Sequence, residues 1–221
     1  MSLATTGAPP RSETCGDAAS SSIRATMRTI YFIRHGQTAW NAEGRLQGQR
    51  DIDLNPTGEA QAREVADRLA DVAGDDLATA DFVASPLTRT RRTMEILRAR
   101  LDRDPTAYRA DDRLREINFG AWEGSTWAEI RRRDPGGAHA RDRDRWRYRP
   151  PGLSGESYAM LTERVAPVLA ELGPATVMVA HGGVARAVLV ALGHLDAYAA
   201  PRIGIRQGVV LVLDAKGWRW A

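Results

Sequence analysis

Apolar and polar residues along the chain follow two alternating periods, one typical of buried strands and one typical of amphipathic helices. Short apolar runs bounded by glycine, proline or charged residues predict strands, because a segment buried on both faces of a sheet carries few polar positions. The segments that fit this pattern are Thr29–Ile33, Asp81–Ala84, Thr106–Arg109, Thr176–Ala180 and Gly208–Leu213.

Helical periodicity fills the intervals between these runs. Pro56-Thr57-Gly58-Glu59 begins an amphipathic segment that reaches Ala73 and places Val65, Leu69 and Val72 on one stripe. Further helices are predicted over Thr88–Leu101, Ser125–Arg133, Ser157–Leu172 and Val184–Leu192. Strands that alternate with helices predict an α/β fold of three layers, α/β/α, in which helices cover both faces of a mostly parallel sheet.

Two segments depart from this alternation. Residues 1–27 are rich in small and polar residues with few large apolar ones, which predicts a flexible leader ahead of one domain over 28–221. The leader lacks the apolar central region of a secretory signal, so export is not expected. Between 124 and 155 the periodicity weakens. The predicted helix Ser125–Arg133 is expected to end at Asp134-Pro135-Gly136-Gly137, and no clear period follows it. An irregular segment of that length predicts a cap or loop over a binding site.

Composition narrows the class of protein. The chain has 221 residues, a formal net charge of +3, one cysteine, Cys15, and one lysine, Lys216. One cysteine forms neither a disulfide framework nor a cysteine zinc site within one chain, and no apolar stretch is long enough to span a bilayer. The small net charge does not indicate nucleic-acid binding. We therefore expect a cytoplasmic protein without a membrane or nucleic-acid partner, and a homodimer is compatible with the sequence.

Two histidines follow predicted strands directly and precede glycine. Arg34-His35-Gly36 follows the strand that ends at Ile33, and His181-Gly182-Gly183 follows the strand that ends at Ala180. Residues just past the carboxyl ends of strands line the ligand crevice of an α/β sheet, so we expect the two imidazoles to meet. The neighbouring arginine indicates an anionic guest such as phosphate. A neutral imidazole attacks phosphorus when cationic donors and a general acid surround it.

Four sequence blocks resemble the histidine phosphatase superfamily, the phosphoglycerate-mutase-like enzymes. They are Arg34–Asn41 with Arg45–Gly48, Ser85–Thr90, Leu114–Gly124 and Val179–Gly183, in the order typical of that family. The third block, extended to Trp127, is most similar to that of α-ribazole phosphatases and broad-specificity bacterial phosphatases. The resemblance implies a phosphoglycerate-mutase-like sheet and extends over nearly all of the chain beyond Thr29.

The resemblance also implies a role for each matching residue. His35 would be the nucleophile and carry a phosphohistidine, and Glu116 would protonate the leaving group and then activate water. Arg34, Arg89 and His181 would hold the phosphate oxygens. Asn41, Gln47, Gly48 and Gly182 would face the substrate. The family needs no metal and no other cofactor, because arginines supply the positive charge that magnesium supplies elsewhere.

Several of these assignments have competitors. Arg89 lies in an arginine-rich run that is equally typical of a solvated helix face. Glu123 lies in the same block as Glu116 and is an alternative acid. His139 and His194 follow glycine-containing segments and are expected to face solvent. The candidate substrate contacts in the cap are Arg131, Arg132, Arg141, Arg145 and Trp146.

The sequence thus predicts a metal-independent phosphomonoesterase that acts on a small phosphorylated metabolite. A cofactor-dependent phosphoglycerate mutase is the alternative within the family. A non-catalytic phosphate-binding module is the alternative from a different class, although neither the nucleophile nor the acid is missing here.

Overall fold

A mixed sheet of six strands forms the middle layer of the computed structural model, which describes residues 29–221; the predicted leader 1–27 lies outside the described residues. The strands are β1 (Thr29–Arg34), β2 (Asp81–Ala84), β3 (Arg109–Ala110), β4 (Ala175–Ala180), β5 (Val210–Asp214) and β6 (Gly217–Trp220). Their order across the sheet is β3-β2-β4-β1-β5-β6. The first four strands in this order are parallel to one another. β5 pairs antiparallel with β1, and β6 pairs antiparallel with β5.

Helices cover both faces of the sheet, so the predicted three-layer architecture is confirmed. The helices are α1 (Ala39–Ala42), α2 (Pro56–Ala73), α3 (Thr88–Arg100), α4 (Trp127–Arg133), α5 (Pro135–Arg143), α6 (Tyr158–Ala170) and α7 (Gly182–Ala191). One apolar core lies between the sheet and α6 with α7, and a second lies between the sheet and α2 with α3. No helix within residues 29–221 is both long enough and apolar enough to cross a membrane.

The pairing of β1 with β4 sets the position of both predicted histidines. Arg34 pairs with Ala180 at the carboxyl end of this parallel ladder, and the His35 amide donates a hydrogen bond of 3.0 Å to the Ala180 carbonyl. Every residue of β4 is buried, as expected for a central strand covered on both faces. His35 and His181 therefore leave the sheet at the same level of two neighbouring strands.

Some predicted boundaries move in the structure. The strand expected at Thr106–Arg109 is confined to Arg109–Ala110, because the Asp104 carboxylate accepts hydrogen bonds from the Thr106 amide and hydroxyl and holds that residue in a turn. The hairpin strand β6 and the short helix α1 were not predicted. Both are four residues long, which is too short to give a readable period.

Within 124–155 the helix expected over Ser125–Arg133 is confirmed, but the expectation of an irregular segment beyond it is wrong over Pro135–Arg143, which forms α5. Asp134 ends α4 as predicted, but the same residue is the N-cap of α5, and its carboxylate accepts from the Gly137 amide at 2.9 Å. Pro135 occupies the first helical position, where no amide hydrogen is needed. The residues that end one helix thus begin the next.

The two cap helices, α4 and α5, pack on a small apolar cluster of their own. Trp122, Ile130 and Ala138 are its buried members. The indole of Trp122 stacks on Tyr148 with ring centroids 5.3 Å apart, and its Nε1 donates to Asp134 at 3.0 Å. The cap is therefore an ordered unit that Asp134 connects to the cluster below it.

Substitution of Asp134 by alanine tests this connection. Loss of an N-cap costs roughly 1 kcal/mol, and a buried donor left without its acceptor costs roughly 1–3 kcal/mol, so we expect D134A to lower the free energy of unfolding by about 2–4 kcal/mol. Urea unfolding measures the change. In a Trp122→Phe background the indole donor is absent, so D134A should cost only about 1 kcal/mol there. Equal losses in both backgrounds would contradict the proposed contact.

Candidate active site

The predicted site residues surround one cavity of about 150 Å³ beyond the carboxyl ends of β1 and β4, which we call the inner cavity. Of the nine residues to which the resemblance gives a role, all except His181 line it. Its walls are formed by Arg34, His35, Asn41, Arg45, Leu46, Gln47, Gly48, Arg89, Glu116, Phe119, Gly182 and Arg186. A larger depression of about 900 Å³ lies near the amino ends of β2 and β4 and contains none of the predicted site residues.

The environment of His35 fixes the tautomer and the protonation state of its imidazole. Nδ1 lies 2.7 Å from the Gly36 carbonyl oxygen, which can only accept, so Nδ1 carries the ring proton and Nε2 keeps its lone pair. Burial lowers the pKa of His35 well below its usual value, and the positive charges of Arg89 and Arg34 lower it further. The ring is only 2% exposed. His35 is therefore a neutral imidazole with one free nitrogen.

His181 lies behind His35, and the structure does not place it on the cavity wall. The two rings meet edge to face with centroids 5.2 Å apart. His181 Nε2 lies 2.7 Å from the Ser85 hydroxyl oxygen, whereas the buried Nδ1 has no partner. Burial, followed by the charge of Arg89, lowers the pKa of His181 well below its usual value. Ser85 thus fixes the orientation of this second neutral imidazole.

Arg34 is half-buried and Arg89 is fully buried, and neither is in an ion pair with a carboxylate of residues 29–221. Arg34 Nη1 donates to the Ile205 carbonyl at 2.8 Å, and the two Nη atoms of Arg89 donate to the carbonyls of Arg50 and Gly48 at 2.7 and 2.8 Å. The Nε atoms of both arginines are buried and have no hydrogen-bond partner within the part of the chain that the structure describes. Burial lowers the pKa of Arg89 to about 10, still above neutrality. The alternative of a solvated Arg89 is wrong, because this side chain is fully buried.

The neutral polar residues of the cavity are also held by defined contacts. The Asn41 side-chain oxygen accepts from the Thr38 amide and from Gln207 Nε2, both at 3.2 Å, which leaves the Asn41 amide nitrogen available as a donor. Gln47 Oε1 is buried without a partner. Gly48 has a φ of +53°, and a Cβ on it would overlap the Glu123 carboxylate. Glycine is therefore required at this point of the wall.

Glu116 lies at the amino terminus of α7. Its carboxylate accepts from the Gly183 amide at 3.0 and 3.2 Å and from the Ile117 amide at 2.9 Å. Arg164 holds the preceding loop, since it donates to the carbonyls of Arg113 and Arg115 at 2.6 and 3.0 Å. The Glu116 carboxyl group thus has a fixed position on the cavity wall.

Glu123 is the competing carboxylate, and its surroundings differ. Its Oε1 accepts from the Gln49 amide at 2.9 Å and the Phe119 amide at 3.3 Å, and its Oε2 lies 3.4 Å from Arg50 Nε. Glu123 does not line the inner cavity. It accepts from the loop that carries Gly48 at a position outside the inner cavity.

The cap residues divide into two groups. Arg131, Arg141 and Arg145 line a second cavity, described below, whereas Arg132 is exposed and Trp146 stacks on Tyr158 against the main core. His139 is exposed as expected. His194 is half-buried, so the expectation that it faces solvent is wrong in part.

Sequence reasoning gave no role to several contributors. Arg45 begins one of the quoted blocks and Arg186 stands alone in its segment, and both line the inner cavity. Ser85 does not line the cavity but orients His181, and Arg164 holds the loop that precedes Glu116. Ser85 opens the second of the quoted blocks, directly after the strand β2, and this position at the carboxyl end of a strand was a usable signal. Among residues 29–221 no cluster of three or more His, Cys, Asp or Glu side chains is arranged to hold a metal ion.

Comparison with known proteins agrees with this geometry. A model of the histidine phosphatase superfamily (branch 1) matches residues 30–221. The probable phosphoglycerate mutase GpmB of Salmonella paratyphi C is 32% identical over 199 residues, which cover 88% of each chain. A mycobacterial glucosyl-3-phosphoglycerate phosphatase superposes with a TM-score of 0.70 at 30% identity, over 88% of this chain and 96% of that chain. A protein from Thermus thermophilus superposes with a TM-score of 0.65 at 35% identity, over 87% of this chain and 96% of that chain.

The chain therefore belongs to the histidine phosphatase superfamily, as its four sequence blocks predicted. Its relatives are described as phosphatases and as mutases, so the family defines the fold and the phosphoryl-transfer class of chemistry but not the particular reaction.

The two buried neutral histidines predict that the protein loses stability below about pH 6.5. In the unfolded chain each imidazole takes up a proton near pH 6.5, whereas in the folded chain both pKa values are well below that value. The unfolded state thus binds more protons, and the free energy of unfolding should fall by about 1 kcal/mol for each histidine between pH 6.5 and 5.5. Urea titrations in phosphate-free buffer measure this loss.

A His35→Gln/His181→Gln variant is the control for that measurement, because it removes both groups. Between pH 6.5 and 5.5 the parent chain should lose about 2 kcal/mol more of its free energy of unfolding than this variant does. An identical pH dependence in the two proteins would show that other groups take up the protons.

Proposed function

We propose that this protein is a metal-independent phosphomonoesterase that hydrolyses a small phosphorylated metabolite through a phosphohistidine on His35. The observation that carries the proposal is the neutral imidazole of His35, whose Nδ1 is hydrogen-bonded to the Gly36 carbonyl while the ring lines a cavity beside the half-buried Arg34 and the buried Arg89. A nucleophile in the correct tautomer beside preorganised cationic donors is the arrangement that phosphoryl transfer requires.

In the first step, His35 Nε2 donates its electron pair to phosphorus as the bond between phosphorus and the ester oxygen breaks. Arg34 and Arg89 stabilise the equatorial oxygens, since each has a buried Nε with no other partner. Glu116 gives a proton to the departing oxygen, so the product leaves as an alcohol.

In the second step, water attacks the phosphorus of phosphohistidine and the bond to Nε2 breaks. The Glu116 carboxylate accepts the proton that the water loses, which restores both residues and releases inorganic phosphate. Hydrogen bonds from the Gly183 and Ile117 amides support this second role, because they hold the Glu116 carboxylate in a fixed position on the cavity wall.

The relatives support phosphoryl transfer and favour two substrate reactions. One relative is named for the hydrolysis of glucosyl-3-phosphoglycerate, and others are named probable phosphoglycerate mutases. Conversion of 3-phosphoglycerate to 2-phosphoglycerate in the presence of the bisphosphate cofactor, without release of phosphate, would favour the mutase. Release of inorganic phosphate at the same rate with and without that cofactor would favour the phosphatase.

Substitution of His35 by alanine tests the nucleophile. We expect kcat/KM for p-nitrophenyl phosphate to fall by more than about a thousandfold, because the covalent path is lost. Alkaline quench of the parent protein with labelled substrate should trap phosphohistidine, which is stable to base and labile to acid, and the variant should trap none. His139→Ala is the matched control, since His139 is exposed. Trapped label in the His35→Ala protein would overturn the assignment.

Substitution of each carboxylate by the amide separates Glu116 from Glu123. General acid catalysis contributes about 10²–10⁴ in rate and matters most for a poor leaving group. Glu116→Gln should therefore lower kcat/KM within that range for an alkyl phosphate and far less for p-nitrophenyl phosphate. Glu123→Gln keeps an oxygen to accept from the Gln49 amide, so it should slow both substrates mildly and alike. A loss that depends on the leaving group only in Glu123→Gln would identify Glu123 as the acid.

A further inference from the structure

A second cavity of about 390 Å³ adjoins the inner cavity, and we call it the outer cavity. It is lined by Leu46, Phe119, Trp127, Arg131, Arg141, Arg145, Tyr158, Arg186 and Pro201. Leu46, Phe119 and Arg186 line both cavities, so the two spaces are neighbours. A molecule whose phosphate reaches His35 would therefore have the outer cavity directly beside it.

The outer cavity has an excess of positive charge. Four of its lining residues are arginines and none is acidic. One nearby carboxylate, that of Asp142, lies 3.7 Å from Arg131, 3.3 Å from Arg141 and 3.1 Å from Arg145. A single negative charge cannot neutralise three guanidinium groups. The wall therefore keeps a net positive charge that an anion would neutralise.

Two of these arginines are held in place with donor capacity to spare. The Arg141 guanidinium lies over the Trp127 ring, 4.1 Å from its centroid, and its side chain is 17% exposed. Burial lowers the pKa of Arg141, and the charge of Arg145 lowers it further. Arg145 Nε is buried without a partner. Desolvated donors that lack acceptors cost stability, and a bound anion would satisfy them.

Two of the three residues shared by the cavities are apolar. Leu46 and Phe119 lie between the arginines of the cap and those that surround His35, whereas the third shared residue is Arg186. This arrangement fits a carbon skeleton with an anionic group at each end. Nonspecific attraction of phosphate alone would not require the second group of arginines.

We propose that the substrate carries a second anionic group, a carboxylate or a second phosphate, which binds Arg141 and Arg145 in the outer cavity while the scissile phosphate lies in the inner cavity. This inference rests on the proposed function, and it specifies the class of phosphorylated metabolite.

Matched pairs of phosphate esters test the proposal. 3-Phosphoglycerate has a carboxylate where glycerol 3-phosphate has a hydroxymethyl group. 6-Phosphogluconate and sorbitol 6-phosphate differ in the same way on a longer carbon skeleton. Fructose 1,6-bisphosphate and fructose 6-phosphate test a second phosphate. We expect kcat/KM to favour the doubly anionic member of at least one pair by about tenfold or more, as one added charge-assisted hydrogen bond implies.

Paired double variants assign that preference to the outer cavity. Arg141→Gln/Arg145→Gln should reduce the ratio of kcat/KM within the preferred pair to less than about threefold, since the proposed donors are removed. Arg132→Gln/Arg143→Gln removes the same charge from exposed positions of the cap, on α4 and α5, and should leave the ratio unchanged. A ratio near one in the parent protein, or an equal loss in both double variants, would overturn the proposal.

A binding measurement separates this proposal from the proposed function. Calorimetry with the His35→Ala protein gives a Kd for each member of a pair without turnover. Tighter binding of the doubly anionic member, lost in Arg141→Gln/Arg145→Gln, would support the outer cavity even if no ester were hydrolysed. Hydrolysis of every ester with no difference in Kd or kcat/KM would support the phosphatase and reject the second anionic site.

Discussion

The register between β1 and β4 is the constraint on which the site depends. Arg34 pairs with Ala180, so the next residue of each strand is a histidine that leaves the ladder at the same level. Side chains alternate between the faces of a strand, and a slip of one residue would send one imidazole to the opposite face. The fully buried β4 prevents such a slip, because its apolar residues face two separate cores. The packing of the sheet thus fixes the 5.2 Å approach of the two rings.

The second organising feature is the way in which positive charge is buried. Arg34 and Arg89 donate to backbone carbonyls instead of carboxylates, so their hydrogen bonds are partly satisfied while their charge is not neutralised. A carboxylate in that place would satisfy the arginines and compete with the phosphate. Burial lowers the pKa of both histidines and the positive charge of the same arginines lowers it further, which keeps His35 unprotonated, so one arrangement prepares the proposed nucleophile and the proposed anion site together.

Sequence reasoning recovered the fold and most of the cavity wall because these features have local signals. The strands β1 and β4 are apolar runs, and the residues around His35, Arg89 and Glu116 lie in contiguous blocks. The reasoning failed where one residue serves two elements or where a contact joins distant segments. Asp134 ends one helix and begins another, which a rule about helix ends cannot distinguish from a break. Arg186 reaches the cavity from the second turn of α7, and Arg164 reaches Arg113 from α6, and no spacing in the sequence indicates either contact.

The cap helices have their own apolar cluster around Trp122, Ile130 and Ala138, separate from the two cores that hold the sheet. The residues that the two cap helices contribute to the outer cavity, Trp127, Arg131 and Arg141, can therefore change without altering the register of β1 and β4 or the surroundings of His35. Under the proposed function, such a division lets mutation alter which esters are accepted while the reaction itself is preserved. It gives a physical route by which one ancestral scaffold can diversify into enzymes with different substrates, through exchanges confined to about two short helices.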